Sequence, residues 1–111
     1  VTYEHYTTTV AILGGTGDLG TGLARRWAEA GYRVIIGSRT QEKADVAATE
    51  LHNVMEERGV EAVKVAAMDN LSAAQGADII AITVPFSHHT GTLNAVKAAL
   101  QGKILIDVWC R

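Results

Sequence analysis

Short apolar runs alternate along this chain with longer stretches whose apolar residues recur every three or four positions. The runs predict strands and the stretches predict helices. Positions 8–13 are β-branched and apolar without polar alternation, as in a strand buried on both faces of a parallel sheet. The run stops at Gly14-Gly15. From 18 to 30, Leu19, Leu23 and Trp27 form one stripe of a helix that Gly31 ends. Positions 33–36 give a second strand. Ser38 opens a long helical stretch in which Ala44, Ala47, Leu51, Val54 and Met55 share a face, with Gly59 closing it. Positions 60–66 give a third strand, and Asp69-Asn70 cap a short helix that runs to Gln75. A fourth strand at 79–84 is stopped by Pro85, a helix spans 87–100, and after Gly102 a fifth strand covers 104–108.

Strands that alternate with helices require right-handed crossovers and a parallel sheet. The expected fold is therefore α/β and doubly wound, with strand order 3-2-1-4-5 and a ligand at the switch between the first and fourth strands. A length of 111 residues fits one domain, 8–111, behind a polar lead-in at 1–7. A net charge of −2 gives no electrostatic footprint for nucleic acid. No apolar run is long enough to span a bilayer, and the first residues lack a basic-then-apolar signal pattern. The lone cysteine, Cys110, cannot form an internal disulfide. A cytoplasmic location is expected.

Gly15-Thr16-Gly17-Asp18-Leu19-Gly20 fits the spacing G-x-G-x-x-G. The motif alone is common, but here it follows a buried strand and opens an amphipathic helix. In that place Gly15 makes the tight turn, Gly17 leaves room for a pyrophosphate against backbone, and Gly20 lets helix approach strand. The helix start adds free N–H groups and the positive end of a dipole. The alternative is a glycine-rich turn that binds nothing. Asp18 is expected to turn its side chain outward while its backbone N–H contributes.

Where an NAD site carries an acid at the end of the second strand, this chain has Gly37-Ser38-Arg39-Thr40, with Lys43 one helical turn later. A hydroxyl, a forked guanidinium and an ammonium suit the dianionic 2′-phosphate of NADP, which an acid would repel. The alternative is that Ser38 caps the helix with Gln41 and that Arg39 and Lys43 are solvated.

Val10 to Gly20, Gly37-Ser38-Arg39, Lys43, and Val84-Pro85-Phe86-Ser87-His88 together resemble the NADPH-dependent reductases of the deazaflavin coenzyme F420. The likeness runs from about position 10 to 107 and covers only the N-terminal part of such enzymes. It implies reversible hydride transfer between NADP and F420. It also implies that Thr16 to Leu19 contact diphosphate and ribose, that Ser38, Arg39 and Lys43 hold the 2′-phosphate, and that Val84, Pro85 and His88 lie by the nicotinamide. Hydride transfer needs alignment more than an acid or base, so no catalytic side chain is nominated. The family continues into a proline-rich segment that helps complete the deazaflavin pocket, whereas here Asp107-Val108 gives way to Trp109-Cys110-Arg111. A Rossmann-type domain truncated after its fifth strand is expected, its exposed edge covered in a homo-oligomer.

His88-His89 lacks acidic or cysteine partners nearby in sequence, so no metal site is expected. Trp27 is assigned to the core, His52 to solvent, and Glu56-Glu57-Arg58 to an exposed helix end. Two other functions stay open: an NADP-dependent reductase of a flavin, metal ion or imine, and a non-catalytic NADP-binding redox sensor.

Overall fold

Five aliphatic runs form the sheet in the computed structural model, which describes residues 8–14, 17–59, 65–84 and 86–108, with side chains omitted at 18 and 86–89. They are β1 (Thr9–Leu13), β2 (Arg33–Ser38), β3 (Val65–Asp69), β4 (Ile79–Ile82) and β5 (Ile104–Asp107). All pairs are parallel and the order is β3-β2-β1-β4-β5, as the alternation of elements predicts. The helices are α1 (Asp18–Glu29), α2 (Gln41–Glu57), α3 (Asn70–Gln75) and α4 (Phe86–Val96), the last running into a 3-10 turn at Lys97–Ala99.

Because successive strand residues point to opposite faces, β1 feeds two cores. Val10 and Ile12 meet Val34, Ile36, Ala47, Leu51 and Met55 under α1 and α2. Ala11 and Leu13 meet Ile35, Ala73, Ile80, Ile82 and Val96 under α3 and α4. Trp27 packs half-buried against the first core, as assigned. Covering helices on both faces explain why the central strands carry no polar alternation.

Several boundaries differ from the sequence expectations. Ser38 does not open α2. It is the last, buried residue of β2, and Thr40 caps the helix from an extended backbone by accepting the Lys43 N–H at 3.3 Å. The alternative reading, a Ser38–Gln41 capping pair, does not form; Gln41 donates to the Ala67 carbonyl and the Asp45 carboxylate. On α2 the buried face uses Ala48 rather than Val54, which is exposed. The third strand, expected at 60–66, runs on to Asp69; positions 60–64 lie outside the described residues. The fourth strand ends at Ile82 rather than 84, where the Thr83 N–H and hydroxyl turn to β1 carbonyls.

The Lys103 ammonium donates to the Ala74 and Gln75 carbonyls, satisfying the C-terminal end of α3 with a cation that also suits the dipole there. Just after it, β5 forms a sheet edge with Ile104 62%, Leu105 43% and Ile106 37% exposed. None of the described helices is long and apolar enough to cross a membrane.

The core assignment carries a direct test. Ile36→Ala, at a fully buried position, is expected to lose about 2–5 kcal/mol. The loss should appear in urea unfolding as a lower midpoint with an unchanged slope. Val46→Ala, on the exposed face of α2, should change stability by no more than about 0.5 kcal/mol.

Candidate functional site

Chain leaving β1 enters a helix on one face of the sheet and chain leaving β4 enters a helix on the other. Their carboxyl ends therefore diverge and open a crevice at the switch point. Gly14 forms its floor with a φ of 73°, in the left-handed region that favours glycine. A Cβ there would overlap the Val84 methyl and crowd the Val84 backbone N at 3.2 Å. The Gly14 N–H donates to Asn70 Oδ1 at 3.4 Å, and the Thr83 hydroxyl lies 3.0 Å from the Leu13 carbonyl and 3.2 Å from that of Gly14.

Gly17 differs in kind. Its φ of −83° is open to any residue, and a Cβ built on it would meet nothing within 4 Å. Gly17 is the N-cap of α1 and has no side chain to satisfy the first-turn N–H groups. A helix of 12 residues thus begins without a capping side chain on its N-cap, at a place that among the described residues is open and that a Cβ would partly fill. Asp18 is the first residue of α1 and Leu19, half-buried, the second.

Leu13 pairs with Gly37 across β1 and β2, so the carboxyl ends of the two strands lie side by side. Ser38 is 5% exposed, while Arg39 and Lys43 are fully in reach of solvent. No acid follows β2 before the helix. Ser38 instead has Asp69 as its register partner on β3. The Ser72 N–H and hydroxyl each donate to the Asp69 carboxylate at 2.9 Å. These bonds, the backbone one foremost, hold the carboxyl below its ordinary 3.8.

The structure therefore sets Val84 against Gly14 and the end of β1 beside the end of β2, from which Ser38, Arg39 and Lys43 follow. Gly15, Thr16 and Pro85 lie outside the described residues, as does the side chain of His88, which falls in the first turn of α4. A groove of about 360 Å³ between α1 and α2 is a different place. Arg25 and Glu50 are among its lining residues, and it includes none of the expected cofactor residues.

The family of coenzyme F420-dependent NADP oxidoreductases matches residues 9–110. This chain belongs to that family. It is 47% identical over 98 residues to the F420-dependent NADP reductase of Methanothermobacter marburgensis, covering 88% of this chain and 42% of that protein. With the Methanocaldococcus jannaschii enzyme of the same description the identity is 39% over 99 residues, covering 89% and 44%. The chain thus spans less than half the length of these relatives. The crystal structure of a candidate F420-dependent NADP-reductase from Arthrobacter sp. FB24 agrees with a TM-score of 0.72 at 26% identity, over 91% of this chain and 44% of that one. A lactate dehydrogenase from Cryptosporidium parvum reaches 0.73 at only 16% identity, over 92% and 37%, which shows the fold alone.

In this family member the sequence pointed to the motif glycines and the bases but missed two supports, Asn70 and Thr83. Asn70 carried a visible signal only as a helix-capping residue. Nothing in the sequence pairs it with Gly14, 56 positions away.

Two outcomes test this geometry. Gly14→Ala places a side chain at positive φ and against Val84, so stability should fall by at least about 1–2 kcal/mol, read from the urea midpoint. Asp69 stabilises the fold as a carboxylate, fully above the range where the unfolded group titrates and less as pH falls through its lower folded value. The melting-temperature advantage of the wild type over Asp69→Ala should accordingly shrink on acidification below about pH 3.8. An advantage that is flat from pH 6 to 2.5 would contradict the assignment.

Proposed function

We propose that this chain binds NADP(H) as the nucleotide-binding part of an oxidoreductase that passes a hydride between NADP and coenzyme F420. The observation that supports the reading is the Leu13–Gly37 register, by which the strand before the glycine motif ends beside the strand before Ser38-Arg39. The diphosphate lies over Gly17 and the open donors of α1. Gly15, Thr16, Asp18 and Leu19 complete that half of the site, mostly through backbone. At the other end the 2′-phosphate accepts the Ser38 hydroxyl and the forked Arg39 guanidinium, with Lys43 adding charge.

Val84, Pro85 and His88 follow β4 on the far side of the crevice and hold the nicotinamide end. When bound, NADP supplies the hydride donor or acceptor, and the deazaflavin supplies its counterpart. This chain's residues bind and align the ring; none is assigned a proton to move. The relatives' own descriptions support F420 as the second substrate. A homo-oligomer belongs to the same reading, supported by the exposed Ile104, Leu105 and Ile106 at the sheet edge. So does a cytoplasmic location.

Calorimetric titration with NADPH and NADH, beside Arg39→Ala and Gly17→Ala, tests the proposal. The wild type should prefer NADPH at least tenfold, about 1.4 kcal/mol, and Arg39→Ala should remove most of that preference. Gly17→Ala should weaken both nucleotides. Equal binding of the two by the wild type would sink the 2′-phosphate site. Hydride transfer from NADPH to F420 by the bound chain supports the enzyme reading, and tight binding without turnover favours a redox-sensing module.

A further inference from the structure

At the end of β1 the Gly14 N–H donates to the side-chain oxygen of Asn70, from the start of α3. The same amide oxygen would lie 2.9 Å from a Cβ placed on Gly37, so glycine at 37 leaves the space the amide occupies. Asp69, just before Asn70, is fixed by two bonds from Ser72, which sets the chain entering α3. One side chain therefore joins the ends of β1 and β2, directly behind the glycine turn and directly before Ser38.

We propose that Asn70 is a positioning residue for the dinucleotide, acting through the Gly14 N–H; this rests on the nucleotide-binding reading above. By holding Gly14 in its left-handed conformation, it fixes the direction in which the chain leaves β1 and hence where the open donors of α1 sit. A turn already in its bound shape spends less binding free energy on ordering. Asn70 acts on the diphosphate half, which NADPH and NADH share. Its loss should weaken both nucleotides alike and leave the preference between them intact, which distinguishes it from Arg39.

The test uses Asn70→Ala, which removes the acceptor, and Asn70→Asp, which keeps one. Gly14 amide hydrogen exchange in the free protein and titrations with both nucleotides are the readouts. Asn70→Ala should speed Gly14 exchange and weaken NADPH and NADH by a similar factor, about fivefold for one lost hydrogen bond. Asn70→Asp should keep Gly14 exchange slow. Unchanged exchange in Asn70→Ala overturns the proposal, as does unchanged affinity or a loss confined to NADPH. If Asn70→Ala proves too unstable to titrate, fast Gly14 exchange in a folded Asn70→Asp overturns it equally. A wild type that binds neither nucleotide overturns the binding reading itself, and this inference with it. Slow Gly14 exchange in that same protein would show that the contact to Asn70 is nonetheless formed.

Discussion

At the carboxyl end of β1 the backbone must stop pairing in the sheet and turn toward one face, while β4 beside it turns toward the other. The turn is made at Gly14, whose positive φ and contact with Val84 leave no room for a side chain. Its polar groups are not left to water. Asn70 takes the N–H and the Thr83 hydroxyl reaches the carbonyl, each from a distant part of the chain. Buried or half-buried backbone groups without partners cost free energy, so the two side chains are what make this departure tolerable. Everything proposed for the site follows from where that departure aims the start of α1.

Two kinds of glycine meet at this junction. Gly14 is required by the fold itself, through its backbone angle and Val84. Gly17 has neither constraint among the described residues, since its angle is ordinary and none of them would meet a Cβ there. The proposed approach of a diphosphate would account for a residue without a side chain at Gly17, and a helix start without a cap from that residue fits the same proposal. The distinction could not be drawn from the motif spacing, in which Gly17 was prominent and Gly14 marked only a strand end.

Much of the architecture was legible because buried parallel strands and amphipathic helices write different periods into the chain. The strand order 3-2-1-4-5 followed from the alternation of elements and the rule of right-handed crossovers. Boundaries were less legible where several residues compete for one role. Ser38, Thr40 and Asp69 can all cap a helix. The structure buries Ser38 in β2 and gives the caps to Thr40 and Asp69, because the register with β3 carries β2 one residue past Gly37. Val54 fits the apolar period of α2 yet stays exposed, while Ala48 is buried, a change of one helical step that periodicity alone does not resolve. The tethers to Gly14 were invisible for a different reason: they join positions 56 and 69 residues apart, and local pattern holds no record of such pairs.

The placement of charge around Ser38 bears on why two basic residues follow it. Removing the acid from the end of β2 does not remove acid from the neighbourhood, since Asp69 is the register partner of Ser38 on the adjacent strand. Asp69 therefore keeps a negative charge on the strand beside Ser38. The donors from Ser72 satisfy the Asp69 oxygens but keep the group ionised, because they hold its pKa down. One cation would only offset that charge. On the proposed reading Arg39 and Lys43 together would leave a net positive charge after that offset, and such a surplus, rather than the mere absence of an acid, would favour a dianion following β2.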